Sequence, residues 1–434
     1  MKALYLRIKS FFNTLTSSIA FYPTFYAITA ILFALVMKWA EGQNISGFLQ
    51  ENVPTLVIDD IETARNILTT LIASGVSMLV FSFSMVMLLL SQAAANYSPR
   101  VLPSLISNRR HQYILGTFLA TILYNIITII SIEPDGKDYQ LPGFSVLLGI
   151  LSSITAIAAF VYFIHSISTS IQINSILKNI YHMSRNRLEQ LITSDKTDND
   201  FPATSDWFLY ETRKSGTIQN ISIPGLLKMA DQLDNRFEIL ITKGEYILEK
   251  SEMFKSEKEL NENELKEVYK NFNYSESELV RDNYVLGFKQ ITEIGVKAMS
   301  PGINDPGTAI DTIDYLTDLI ALRMLKQDYD VVVNKDDQPT LSLAVVNFDH
   351  LLYNFLAAYR NYCKHDLNVM HRLLSMLLKC LNKQSCDASY YKVLHREASL
   401  MIKDAEDSVG NSFDLEVLHS IYDSIELTYQ SLQK

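Results

Sequence analysis

Cysteine is scarce in this sequence. There are three, Cys363, Cys380 and Cys386, at spacings that match no metal motif. So sparse and odd a count fits a reducing compartment better than a disulfide framework. A basic excess is also lacking. Lys and Arg number 38 against 48 Asp and Glu, a formal net charge of −10, which argues against a nucleic-acid partner, since that needs a basic footprint. The histidines are dispersed, with no HExxH and no i,i+4 pair, and there is no Gly-rich phosphate loop and no nucleophile-and-base constellation. No enzymatic activity, metal or cofactor is therefore expected. The first apolar stretch runs on without a small-residue cleavage site, so a cleavable signal peptide is not expected either. Charge is also missing where the chain is most apolar. Four long runs hold no Asp, Glu, Lys or Arg in their cores, and Lys38 sits at the outer edge of the first, where it can snorkel. Ionisable groups inside a membrane mark proton relays and ion-coupled pumps, so their lack counts against a proton-driven carrier.

The longest of these runs, within residues 67–97, organises the chain. Residues 67–95 carry no charge, which exceeds the roughly 20 apolar residues that cross a bilayer. Small and polar residues interrupt it. Thr70, Ser74, Ser77, Ser84 and Ser91 fall on one helical face by the 3.6-residue period. Such a row permits close helix–helix packing in lipid, or it lines a wet path. A second row, Thr117, Thr121, Asn125 and Thr128, recurs in the third run, and Asn125 suits either an interhelical hydrogen bond or a path lining. His165, at the end of the fourth run, is a gate candidate by its near-neutral reference pKa, or an interfacial hydrogen-bonded histidine.

Four spans are expected, at about residues 21–39, 67–95, 113–132 and 144–165. The segments around them alternate in charge. Lys2, Arg7 and Lys9 precede the first span on an amphipathic run (residues 1–18) that reads as an interfacial helix. Arg100, Arg109 and Arg110 lie between the second and third spans, and Lys178, Arg185 and Arg187 follow the fourth. The first and third loops are acid-rich, with Glu41, Glu51, Asp59, Asp60 and Glu62 in one and Glu133, Asp135 and Asp138 in the other. The positive-inside rule then puts both termini and the large downstream part in the cytoplasm. An apolar face continues from residue 166 to 191, so the fourth helix is expected to run out of the membrane as a stalk.

Three regions follow: a transmembrane domain at residues 1–191, a small α+β module at 192–255 and a helical domain at 256–434. In the module, residues 215–223 alternate as a strand, 224–234 read as a helix opened by Pro224, and 236–250 read as two strands turning at Gly244. In the third region, residues 285–299 have helical periodicity. The SPGINDP stretch (residues 300–306) ends that helix and starts another, with Asp305 as N-cap and Pro306 in the first turn. Asn304, Asp305 and Asp311 are candidate oxygen ligands for a hard cation, although the spacing is not that of an EF-hand. The other reading is a capped helix–loop–helix with a solvated acidic face carrying Asp311, Asp314 and Asp318. Residues 344–362, 365–383, 389–409 and 415–433 are amphipathic helices suited to a bundle.

Three segments carry a resemblance: SQAAANYSPRVLPSLISNRRHQYILGTFLATILYN (residues 91–125), SGTIQNISIPGLLKMA (215–230) and GFKQITEIGVKAMSPGINDPGTAIDTIDYL (287–316). They resemble the bacterial inner-membrane family catalogued as domain of unknown function 2254, over nearly the whole chain. SPGINDP and the tripeptide Ser98–Arg100 are its most specific features. The resemblance implies spans first and a large cytoplasmic domain after, and it implies no activity. The expected fold is therefore a mainly α membrane protein with four transmembrane helices, then a cytoplasmic α+β module and a helical bundle. The expected function is a homo-oligomeric, channel-like protein in contact with membrane lipid, with a small ion as a possible ligand. The alternative is a membrane-anchored sensor or scaffold whose cytoplasmic domain binds a partner or ion.

Overall fold

The structure, a computed structural model, describes residues 20–43, 45–46, 48, 58, 60–96, 109–132, 142–170, 172–194, 201–274, 280, 283–334, 336 and 338–433. The expected interfacial helix of residues 1–18 and the tripeptide at 98–100 lie outside these. The described chain divides into two units, one ending at Gln172 and the other running from Ile173 to the end.

Inside lipid a chain must satisfy its backbone within itself, so the apolar runs form helices. The first unit holds α1 (Phe21–Glu41), α2 (Ile61–Asn96), α3 (Arg109–Ile130) and α4 (Gly143–Ser170). All four are long and apolar enough to cross a membrane. At 36 residues, α2 extends about 54 Å, well beyond a hydrocarbon core of about 30 Å. Its start is fixed by Asp60, whose carboxylate accepts the Thr63 N–H at 2.6 Å.

Small residues set the helix contacts. The side of α1 that packs on α3 buries Ala27, Ala34 and Ala40, and Gly116 of α3 lies under the Tyr26 ring, where a Cβ would come within 3.0 Å. Two apolar clusters join α2 to α3 and α4. One is built on Phe118, Ala156 and Phe163, the other on Ala64, Leu68 and Val146. Glu41, which the sequence puts in an acidic loop, has a structural task. One of its oxygens accepts both the N–H and the hydroxyl of Ser145 at 2.8 Å, and the other accepts the Ser46 hydroxyl. The carboxylate thereby satisfies the first turn of α4, where the helix dipole favours an anion.

In place of one uninterrupted stalk, α4 ends at Ser170, Gln172 is not helical, and α5 (Ile173–Ser194) opens the second unit. That unit continues with β1 (Phe208–Glu211), β2 (Gly216–Ile221), α6 (Ile223–Leu233), β3 (Phe237–Ile239), β4 (Tyr246–Ile247), β5 (Glu252–Ser256), α7 (Glu262–Tyr269) and β6 (Phe272–Tyr274). Then come α8 (Tyr284–Ala298), α9 (Pro306–Arg323), β7 (Tyr329–Val333), β8 (Pro339–Ala344), α10 (Phe348–Cys363), α11 (Leu367–Leu381), α12 (Ser389–Glu406) and α13 (Ser412–Leu432). One sheet has the order β1-β5-β3-β8-β7, and β4-β2-β6 form a second.

The strand-turn-strand at residues 236–250 has the expected turn, with Gly244 at φ 88°, but its strands do not pair with each other. β4 pairs with β2, and β3 pairs with β5 and, in parallel, with β8 through Phe237 opposite Leu341. β7 and β8 lie in the stretch read as wholly helical. The core of this part joins Ile218, Leu226, Phe237, Met253, Phe254 and Leu341. The helices behave as their periodicity predicts. α8 packs on α5, α9 and α10, α9 also on α11, and α13 on α11 and α12. Burial pushes the thiols of Cys363 and Cys380 up to about 12, so both stay protonated and inert.

Candidate functional site

The two polar rows of the membrane unit occupy different surroundings. On α2, Ser74, Ser77, Ser84 and Ser91 are exposed, beside Val80, Phe83 and Met87. The Ser74 and Ser77 hydroxyls donate to the carbonyls of Thr70 and Ala73, at 2.8 and 2.9 Å. Ser82, between them in sequence, is buried, and its hydroxyl has no hydrogen-bond partner.

The row on α3 turns inward. Thr117 is half-buried and donates to the Tyr113 carbonyl at 3.0 Å. Thr121 donates to the Ser152 carbonyl of α4 at 3.4 Å, and Thr128 donates to the Tyr124 carbonyl at 2.9 Å. Asn125 is wholly buried and its amide donates to the Ser153 hydroxyl at 3.1 Å. Its carbonyl oxygen faces Gly149 and has no partner. Gly149 is where α4 comes close enough for this, because a Cβ there would overlap that oxygen. Asn125→Ala is expected to loosen the α3–α4 contact by about 0.6–1.7 kcal/mol, the range of interhelical hydrogen bonds in membranes. Thermal unfolding of the detergent-solubilised protein measures it. His165 lies exposed near the end of α4.

The SPGINDP stretch reverses the chain between α8 and α9. Asn304 takes a left-handed conformation at φ 49°, which Asn tolerates better than most residues. Ser300 accepts the N–H groups of Ile303 and Asn304 at 3.0 and 2.9 Å, and the Asp305 N–H returns to Ala298 at 2.8 Å. Asp305 is the N-cap, as its sequence position predicts. One carboxylate oxygen accepts the Thr308 N–H at 3.1 Å and the other its hydroxyl at 2.6 Å. Asp311 is exposed, a turn and a half further along α9. Among the described residues, no group of three or more His, Cys, Asp or Glu is arranged to hold a metal ion.

The Thr308 hydroxyl, then its N–H, holds the Asp305 carboxyl below the usual carboxylate range. A folded pKa below the unfolded value stabilises above the unfolded one, about 3.9. That contribution disappears as pH falls through the depressed folded value. The first turn of α9 is therefore expected to loosen only below about pH 4, and Asp305→Ala to cost about 1 kcal/mol at neutral pH. Hydrogen exchange at the Thr308 amide reads both.

The rest of the acidic face is tied to neighbouring helices. Asp314 receives both arms of Arg372 from α11, with Nε at 2.7 Å from Oδ1. Asp318 accepts the Tyr181 hydroxyl at 2.7 Å and the Arg185 guanidinium, both from α5. Sequence reasoning missed three groups here. Gly287 and Gly295 lie within the family-like segment, and only their regular eight-residue spacing hints at a face pressed against other helices. A Cβ at Gly287 would overlap the Ser184 hydroxyl, and one at Gly295 the hydroxyls of Tyr359 and Thr312. The third is Arg323, wholly buried at the end of α9, for which the sequence offers no signal.

The profile of a family described as "Predicted membrane protein (DUF2254)" matches residues 16–379. Uncharacterized proteins of Mycobacterium bovis and Mycobacterium tuberculosis are 23% identical over 375 residues, which covers 81% of this chain and 70% of each of theirs. No solved structure matches it significantly.

Proposed function

The chain belongs to this family of predicted membrane proteins, and from that premise we propose that it is a homo-oligomeric, channel-like protein of the bacterial inner membrane. The carrying observation is the exposed serine row of α2. Ser74, Ser77, Ser84 and Ser91 are presented on the outside of a single copy, while the polar groups of α3 turn inward. Rows of small residues let helices of neighbouring copies approach closely, and closed symmetry then brings the same row from each copy toward one axis. Four spans are few for a carrier built from internal repeats. Spans without ionisable cores suit passive passage of a small ion or neutral solute. By the positive-inside rule both termini and the second unit are cytoplasmic, where that unit assembles and gates the ring.

A membrane-anchored sensor or scaffold is the second reading. Its support is that Asn125, Thr121 and Thr128 are spent on bonds within the bundle, as expected of helices that only pack.

The mass of the complex in nanodiscs separates the two. A ring of several copies supports the channel, and a monomer or simple dimer removes it. In a ring, replacing Ser77 and Ser84 by Ala should change conductance in planar bilayers. A change in stability with unaltered conductance favours the scaffold.

A further inference from the structure

The second unit contains a cavity of about 90 Å³ whose wall gathers positive charge. Arg187 of α5, Lys243 of the Gly244 turn and Lys326 after α9 all line it, together with Asn283 and Tyr284 at the start of α8. Apart from Thr242, the rest of the wall is aliphatic, and among the described residues no Asp or Glu lines it. Three features favour an anion there.

The first is the guanidinium of Arg187. Its Nε is buried without a hydrogen-bond partner, and Nη1 reaches the Gln190 side chain only at 3.5 Å. A buried donor left unsatisfied costs about 1–3 kcal/mol, which an acceptor in the cavity would relieve. The second is Lys326, whose side chain is wholly buried. It donates to the Gln327 carbonyl at 3.4 Å and adds a basic side chain to the same wall. The third is the N-terminus of α8, a 15-residue helix. Asn283 caps it by accepting the Val285 N–H at 3.1 Å and donates to the Lys243 carbonyl at 3.3 Å. That pair of bonds holds the lysine-bearing turn at the positive end of the helix dipole, where anions bind.

We propose that this cavity binds a small oxyanion, inorganic phosphate or a short carboxylate, held by Arg187, Lys243 and Lys326. The volume accommodates a small group. A 150 Å³ apolar cavity holds benzene, so about 90 Å³ admits a tetrahedral oxyanion or a carboxylate of two or three carbons. The proposal stands whether or not the membrane unit forms a pore.

The test uses the full chain in detergent. Its thermal midpoint is followed against sodium phosphate, sodium acetate and sodium chloride at matched ionic strength. Binding to the folded state alone raises the midpoint with ligand concentration. Phosphate or acetate is expected to raise it beyond chloride, and whichever acts more strongly identifies the oxyanion class. Arg187→Gln should weaken the apparent affinity at least tenfold, and Lys243→Gln should also weaken it. These two positions avoid the wholly buried Lys326, so both variants should fold, which circular dichroism checks. If one fails to fold, the other carries the comparison, and isothermal titration of the wild-type chain with phosphate gives an independent reading. An identical response to all three salts with no heat of binding overturns the proposal. So does a folded Arg187→Gln variant with unchanged affinity.

Discussion

Replacing Arg323 by Met is expected to destabilise the second unit by about 3–5 kcal/mol, since several acceptors lose a buried charged donor at about 1–3 kcal/mol each. The guanidinium is wholly buried, and every arm is used. Nε donates to the Tyr284 hydroxyl at 3.1 Å, Nη1 to the Lys326 carbonyl at 2.6 Å, and Nη2 to the Val346 carbonyl at 3.1 Å and to the Asp328 carboxylate. It lies 5.9 Å from the ring centroids of both Phe348 and Tyr390. One side chain thus joins the end of α9, the start of α8, the loop after β8 and the start of α10. Met fills most of the same space, so the loss is polar: two carbonyls, a phenol and a carboxylate lose their donor in one step. Asp328 also accepts the Phe348 N–H, at 2.9 and 3.0 Å, so the entry to α10 loosens with it. Arg323→Lys should rescue little, because an ammonium cannot reproduce the planar fork. The comparison is Arg372→Met, whose pair with Asp314 is half-exposed and should cost no more than about 1 kcal/mol. Denaturant unfolding of the full chain in detergent, with hydrogen exchange at the β8 and α10 amides, measures both. A loss below 1 kcal/mol for Arg323→Met would refute the keystone role.

Gly295→Ala should be nearly as damaging, at about 2–4 kcal/mol. Overpacking accounts for about 1–3 of this, and the hydrogen bond it disturbs for about 1. The added methyl overlaps the hydroxyls of Tyr359 and Thr312, which bond each other at 2.7 Å. Both side chains are wholly buried, and burial pushes the Tyr359 phenol far above its ordinary value, so it stays a neutral donor. Neither hydroxyl can swing to water. α8 must therefore move off α9 and α10, or the bond must break. Gly302→Ala is the control. A Cβ there meets nothing within 4 Å, and the variant should stay within about 0.5 kcal/mol of wild type. Thermal unfolding of the two variants side by side decides. Equal midpoints would mean that α8 has room the packing denies.

Gly295 belongs to the family-like segment at residues 287–316. Its SPGINDP stretch invites a ligand, and the residues that make it specific do local work. Asn304 accepts a left-handed turn and Asp305 caps α9. The N-cap and the Pro of the first turn were legible because capping depends on neighbours in sequence. The partners of Asp314 and Asp318 were not, because Arg372 and Arg185 lie 58 and 133 positions away.

The sequence by itself determined the class of protein. Four uncharged runs of spanning length, alternating loop charge, and amphipathic periodicity in the last hundred residues are properties of consecutive side chains. So are the turn at Gly244 and the start of α9, since turns and caps are set by local backbone chemistry. Tertiary structure decided everything that depends on which elements meet. It sent the serine row of α2 outward and Asn125 of α3 inward, although both rows read alike as uncharged stripes. It paired β3 with β8 across a hundred residues where local pattern suggested a hairpin. It buried Arg323 and drew Arg187, Lys243 and Lys326 around one cavity. The physical reason is that periodicity identifies which face of an element is apolar or polar. What that face then touches depends on packing among distant segments, whose free energy no local window of sequence contains.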